Sequence, residues 1–278
     1  MSGNRHLVYE YLRHNKRFPN VWCAGCGIGI VMGAIIRSVD DLALDKNSIA
    51  VISGIGCSGR MPVYLDFNTM HTTHGRALAF ATGLKMARPD MEVIVVMGDG
   101  DALAIGGNHF IHAARRNIDL TAIVINNSTY GMTGGQYSPT TPTASLAPTA
   151  PYGNIEQPLP ISELAQVAGA SYVARSTVYH ATELEKYITT GLQKKGFALI
   201  EAVSYCHTTF GRQNKLGNAV QMMRTLKENS ITLKAAERLG EGERAGKIVR
   251  GEFVNRDIPE YTAMYEQIIA RAQAESVS

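Results

Sequence analysis

Gly98-Asp99-Gly100, followed by 25 residues and then Asn126-Asn127, sets a carboxylate and an amide oxygen at the ends of two apolar runs. Displayed on neighbouring strand ends, such a pair can share one hard divalent ion. Mg²⁺ prefers oxygen ligands in octahedral geometry and keeps places for phosphate oxygens. Glycines flanking Asp99 let the backbone approach a diphosphate closely and leave N–H groups free to bind it. The tripeptide alone occurs by chance in many turns. Its context supplies the constraint: a buried strand, the turn, a helix, a second buried strand and the Asn pair.

The second constellation is the full set of cysteines, Cys23, Cys26, Cys57 and Cys206. Cys23 and Cys26 form a C-x-x-C, which by itself serves a redox pair, a zinc half-site or a cluster half-site. Cys57 lies in the glycine-rich run Gly54-Ile55-Gly56-Cys57-Ser58-Gly59, and Cys206 follows an apolar run. Four thiolates suit Zn²⁺ or a [4Fe–4S] cluster equally on ligand count. Taken singly, each later cysteine reads as a small buried apolar residue. A single site that uses all four, close to the Gly-Asp-Gly turn, favours the cluster: structural zinc gains nothing from that neighbourhood, and an electron acceptor gains much.

The elements that must position these residues alternate along the chain. Ile49–Ile52, Val93–Val96, Leu120–Ile125, Ser171–Val178 and Phe197–Val203 read as strands, apolar on both faces. Between and around them Ile30–Ser38, Gly75–Arg88, Asn108–Arg116, Ser162–Gly169 and Thr182–Lys195 have helical spacing. This alternation predicts an α/β fold, a mostly parallel sheet with helices on both faces. In such sheets ligands sit beyond the carboxyl ends of the strands. The turns at Gly54–Gly59, Gly98–Asp101 and Asn126–Thr129 should therefore share one edge, with Cys206 able to join them. Residues 1–210 are read as one cofactor-binding domain. Residues 211–278 are read as a helical, polar extension that packs on a partner or on the sheet, with partner contact preferred. Ser138–Tyr152, rich in Pro, Thr and Ala, reads as an extended loop, either a linker, or a lid or partner-contacting loop.

Composition narrows the class. Of 278 residues 45% are apolar and 18% charged, which describes a globular chain. A net charge of +3, with no basic run, gives no nucleic-acid signature. No apolar leader and no stretch of about 18 apolar residues is present, so a soluble cytoplasmic protein without a membrane role is expected. His109 and His112 share a helical face and, like His71, read as solvated or packed residues. His74 opens a helix at the ligand edge, where it could donate to phosphate or to a substrate carboxylate.

The Gly-Asp-Gly…Asn-Asn spacing resembles the thiamine-diphosphate enzyme signature. The whole set, WCAGCGIGI (22–30), SGIGCSGR (53–60), THGRALAFATGLK (73–85), GDGDALAIGGNHFIHAARRN (98–117), NNSTYGMTGGQYSPTTPT (126–143) and Tyr205-Cys206-His207, resembles the β subunit of 2-oxoacid:ferredoxin oxidoreductases. Among these it is most similar to the two-subunit enzymes acting on 2-oxoglutarate, with pyruvate and branched-chain relatives close behind. The resemblance implies a thiamine-diphosphate-binding fold and oxidative decarboxylation of a 2-oxo acid with transfer of the acyl group to coenzyme A. Electrons would pass through one [4Fe–4S] cluster on Cys23, Cys26, Cys57 and Cys206 to ferredoxin. The reductive direction, which fixes CO₂, is compatible with the same residues.

By position, the resemblance makes Asp99, Asn127 and the Thr129 carbonyl the Mg²⁺ ligands. Ile55, Gly56, Cys57, Ser58, His74, Gly75 and Arg76 would line the thiamine diphosphate. Gly98, Gly100 and Asp101 would lie near its diphosphate, and Tyr130, Gly131, Met132 and Thr133 would border thiazole and substrate. The glutamate that activates the cofactor belongs, in the family, to the α subunit. This chain is therefore expected to carry no complete catalytic set and to act only with that partner, in an (αβ)₂ assembly. His74 and Arg60 are its candidate substrate contacts. An Arg60 guanidinium could hold the distal carboxylate of 2-oxoglutarate, so its loss should raise KM for 2-oxoglutarate more than for pyruvate. Two rivals are a carboligase with structural zinc and a non-catalytic iron–sulfur carrier.

Overall fold

A computed structural model of the protein describes residues 7–15 and 18–275. The leader reading of the N-terminus falls partly outside these residues. Five of the strands are the apolar runs: β1 (Ile49–Ser53), β3 (Glu92–Gly98), β4 (Thr121–Asn126), β5 (Tyr172–Thr177) and β6 (Ala198–Val203). Three others, β2 (Asn68–His71), β7 (Ser230–Thr232) and β8 (Ile248–Asn255), come from segments with no such pattern. The eight form one sheet in the order β2-β1-β3-β4-β6-β5-β8-β7. Every pairing from β2 to β5 is parallel, and β8 joins β5 antiparallel.

Alternation along the central strands divides the core into two layers. In β4, Ile123 and Ile125 face the layer of α1 (Ile28–Asp41) and α5 (Ala181–Gln193). Ala122 and Val124 face α2 (Ala77–Ala87), α3 (Gly107–Arg116) and α4 (Ile161–Ala168). Both faces of the sheet are therefore covered, which is why its strands are apolar throughout. Ile123 is fully buried. Ile123→Ala is expected to cost about 2–5 kcal/mol of stability through lost transfer energy and a residual cavity. Urea unfolding midpoints would measure it, and a cost below about 1 kcal/mol would show that the layer repacks freely.

The extension after residue 210 is not helical throughout. Its helix α6 (Ala219–Glu228) buries Met222 and Leu226 in the α1/α5 layer. β8 then widens the sheet, with Tyr172 Oη donating to Glu252 Oε1 at 2.8 Å and Arg175 lying 5.0 Å over the Phe253 ring. The helical expectation fails because β8 carries Arg250, Gly251 and Glu252 amid its apolar residues. A half-buried strand specified by its neighbour lacks the continuous apolar run of the central strands. The fifteen-residue helix Tyr261–Glu275 ends the described chain. Among the described residues no helix is long and apolar enough to cross a membrane.

Candidate active site

Because β1, β3, β4 and β6 run parallel, their carboxyl ends meet at one edge. Register places Met97 beside Val124, Gly98 beside Ile125 and Asn126 beside Val203. The turns after β1, β3 and β4 line a cleft of about 200 Å³. Ile55 to Ser58, His74, Gly98 to Asp101, Asn127 and Thr129 to Thr133 all contribute to it, together with Ile28 and Ile125. Gly75, Arg76 and Arg60 do not line this cleft. Gly75 serves through its backbone, donating its N–H to Asp101 Oδ1 at 2.7 Å.

Asp99 is the buried anion of the cleft. Its Oδ2 accepts from Ser138 Oγ and Thr140 Oγ1, each at 2.5 Å. Burial pushes its carboxyl above the usual carboxylate range, while these two hydroxyls pull it back down. The other oxygen, Oδ1, faces the Asn127 side chain. The inward atom of that amide stands 3.2 Å from Asp99 Oδ1 and 2.9 Å from the Thr129 carbonyl oxygen. Turning the amide nitrogen inward would make both contacts hydrogen bonds. With the oxygen inward, three oxygens converge, and Mg–O bonds of 2.0–2.1 Å in an octahedron separate adjacent ligands by about 2.9 Å. In that orientation a carboxylate, an amide oxygen and a carbonyl would form a donor set that could hold Mg²⁺.

Asp101 is the second carboxylate of the cleft. Its Oδ1 lies 2.7 Å from His74 Nδ1 and accepts from the Ile55 N–H at 3.3 Å. The imidazole is thus fixed with its other nitrogen free, and its ring meets Tyr130 edge-on. Asp101 Oδ2 is buried without a partner, and a Cβ on Gly54 would fall 1.8 Å from it. Gly54→Ala should therefore displace Asp101 and cost about 1–3 kcal/mol, the range for overpacking. Thermal unfolding tests this, and an unchanged midpoint would mean that the carboxylate moves aside without loss. Gly100 is constrained similarly: a Cβ there would lie 2.3 Å from the Tyr130 ring, whose hydroxyl donates to the Gly100 carbonyl at 3.2 Å.

A second cavity, of about 310 Å³, adjoins the first and is lined by all four cysteines. Trp22 Nε1 donates to the Cys57 carbonyl at 2.7 Å, and Tyr205 Oη to the Gly25 carbonyl at 2.7 Å, which pins the N-terminal cysteine loop to the sheet edge. Burial pushes the Cys26 thiol up to about 11 and raises Cys57 as well. At Cys206 burial acts in the same direction. The hydroxyls of Thr209, 2.9 Å from its sulfur, and Thr208, with nearby backbone N–H groups, outweigh it and lower the thiol. Among the described residues no three His, Cys, Asp or Glu side chains are grouped so as to hold one metal ion. A Cys₄ zinc site needs sulfurs roughly 3.8 Å apart, given Zn–S bonds of about 2.3 Å. The four thiols line one open cavity. A Cβ on Gly131 would lie 3.4 Å from the Cys206 sulfur and 3.7 Å from that of Cys57, so the bare backbone there leaves the space open.

Ser138 and Thr140 lie in the stretch that reads as a loop and are not singled out by it; the hydroxyl-rich Ser-Pro-Thr-Thr run is the signal that could have found them. His71 lies outside the cleft, with Nδ1 3.0 Å from Ser53 Oγ. His109 and His112 sit on α3, also outside it.

Fold and site together define a thiamine pyrophosphate (thiamine diphosphate) enzyme domain, and residues 54–202 match the family described as "Thiamine pyrophosphate enzyme, C-terminal TPP binding domain". Over 94% of its length the chain is 52% identical to the 2-oxoglutarate synthase subunit KorB of Methanothermobacter thermautotrophicus, covering 91% of that protein. It is 43% identical, over 68% of its length, to the 2-oxoacid:ferredoxin oxidoreductase subunit beta of Saccharolobus solfataricus, covering 63% of it. The 2-oxoglutarate:ferredoxin oxidoreductase of Magnetococcus marinus, solved with 2-oxoglutarate, coenzyme A and succinyl-CoA bound, superposes with a TM-score of 0.85 at 33% identity. That match covers 97% of this chain and 92% of the other. The chain belongs to the β subunits of the 2-oxoacid:ferredoxin oxidoreductases.

Proposed function

We propose that this chain, with its α subunit, catalyses the CoA-dependent oxidative decarboxylation of 2-oxoglutarate to succinyl-CoA and CO₂, with electrons leaving through a [4Fe–4S] cluster to ferredoxin. One observation carries the reading. Cys57 and Gly131 line both the cleft that holds Asp99 and Asn127 and the cavity ringed by the four cysteines. Bound thiamine diphosphate and a cluster would then share a wall, a proximity that favours single-electron transfer between them.

Thiamine diphosphate, when bound, supplies an electron sink for loss of CO₂. The protein's part is placement. Asp99, Asn127 and the Thr129 carbonyl would hold Mg²⁺ for the diphosphate, and the glycines at 98 and 100 would let the backbone approach it. Asp101 orients His74 toward the reacting region. Cys23, Cys26, Cys57 and Cys206 hold the cluster. The glutamate that activates the cofactor is assigned to the α subunit, as the family resemblance implies. Arg60 lies outside the lining of the cleft, and the choice of 2-oxoglutarate rests on the relatives. We place the α contact on the extension after residue 210, whose last helix leaves Tyr261, Met264, Tyr265, Ile268 and Ile269 exposed.

Anaerobic purification of the complex tests the reading. Brown protein with iron, acid-labile sulfide and extractable thiamine diphosphate is expected, turning over 2-oxoglutarate faster than pyruvate or 2-oxoisovalerate. A colourless zinc protein would support a carboligase instead. Brown protein without the thiamine cofactor would reduce the chain to an electron carrier.

A further inference from the structure

We infer that Asn126 and Glu201, neither of which lines the cofactor cleft, are positioning residues that set the affinity of the Asp99/Asn127/Thr129 site for its divalent cation. The inference rests on the reading of those three residues as cation ligands. Asn126 is the last residue of β4, directly before the Asn127 side chain that faces Asp99. Its own side chain turns the opposite way and bridges two partners. Nδ2 donates to Glu201 Oε1 at 2.9 Å, and Oδ1 accepts from the Ser128 N–H at 3.3 Å. The second bond closes an Asx turn over Asn127.

That turn is one the chain does not adopt readily. Ser128 has φ +60°, a left-handed conformation uncommon for a residue with a Cβ. Such a residue persists where its surroundings over-determine it. Here Asn126 holds its N–H, and Thr141 Oγ1 donates to its carbonyl at 2.7 Å. With Ser128 fixed, the Asn127 amide and the Thr129 carbonyl, one on either side of it, can face the same point.

Glu201 fixes the other end of the bridge. It is 3% exposed, in the middle of β6, and its carboxylate receives three donors. Besides Asn126, Ser162 Oγ donates to Oε2 at 2.6 Å and Arg175 Nε at 2.7 Å, and Arg175 is itself held by Glu163 at 2.7 Å. A carboxylate is needed because it accepts at every position, whereas a glutamine would present an N–H to one of these donors. The chain of contacts from Arg175 through Glu201 and Asn126 to Ser128 ends at the ligands. Partners of this outer kind commonly change metal affinity 10–100-fold when lost.

The test uses the full α/β complex, stripped of divalent cation by chelation and titrated with Mg²⁺ at saturating thiamine diphosphate. Calorimetry gives Kd, and kcat is followed across the same titration. Asn126→Ala, which leaves the Glu201–Arg175 pair intact, should weaken Mg²⁺ binding 10–100-fold, with kcat recovered at saturating Mg²⁺. Glu201→Gln should shift the Mg²⁺ dependence in the same direction. The double variant should be no weaker than the weaker single one, because both act through one bridge. Should Glu201→Gln fail to fold, Asn126→Ala decides alone. A Kd within twofold of wild type in folded Asn126→Ala overturns the inference, and so does a loss of kcat that excess Mg²⁺ does not restore. Asp99→Asn separates the two levels. If it binds Mg²⁺ normally, the cation site itself has been misassigned; if it fails while Asn126→Ala is normal, only the positioning role falls.

Discussion

Replacing Asp99 by Asn is expected to weaken Mg²⁺-dependent binding of thiamine diphosphate by at least ~10²-fold, above the loss usual for an outer partner, and to reduce turnover to background. The substitution conserves shape but removes the only charge among the three converging oxygens. It can also set an amide N–H at the Oδ1 position, 3.2 Å from the inward atom of the Asn127 amide, where a cation would sit. Ser138 and Thr140 can still donate to the remaining carbonyl, so the fold should persist. Calorimetric titration of the cofactor-free complex measures the effect, with the unfolding midpoint as control. Wild-type affinity in a folded Asp99→Asn complex would remove the cation site from its proposed place.

Cys57→Ser should have the second large effect, on electron transfer rather than on cofactor binding. Of the four cysteines, Cys57 alone lines both cavities. Serine keeps the size of the side chain and leaves the backbone carbonyl that accepts from Trp22, but a hydroxyl is a poor ligand for iron beside three thiolates. The expected result is loss of the visible absorption of the cluster and of ferredoxin reduction, with Mg²⁺-dependent binding of thiamine diphosphate retained. Iron and sulfide analysis on anaerobic protein checks the first part and calorimetry the second. Full iron content and full ferredoxin reduction in Cys57→Ser would take this residue out of the cluster.

Much of the architecture was legible because burial on both faces forces continuous apolar runs, as in β3 and β4. From those runs follow the parallel sheet, its helices on both faces and the shared edge of the turns. β2 and β8 were not legible. β2 is four mostly exposed residues at the sheet margin, and β8 interrupts its apolar positions with Arg250, Gly251 and Glu252. Both are strands through pairing with neighbours rather than through local pattern. The site divides similarly. Asp99, Asn127 and the cysteines belong to types and spacings with few uses, so the sequence exposes them. The donors that hold Asp99 come from Ser138 and Thr140, about forty positions away along the chain. Glu201 meets Asn126 only because β4 and β6 are adjacent. Contacts of that kind depend on the order of strands, which no local spacing encodes.

The proposed joining of two redox partners across one shared wall is tested most directly by mixing the anaerobic complex with 2-oxoglutarate and coenzyme A in the absence of ferredoxin, and following cluster reduction by visible bleaching and electron paramagnetic resonance. Wild-type protein should bleach and develop the signal of a reduced [4Fe–4S] cluster. Asp99→Asn protein with full iron content should do neither, because its cluster is intact but receives no electrons. Bleaching by substrate in the Asp99→Asn complex, or none in the wild type, would contradict the coupling of the two sites through Cys57 and Gly131.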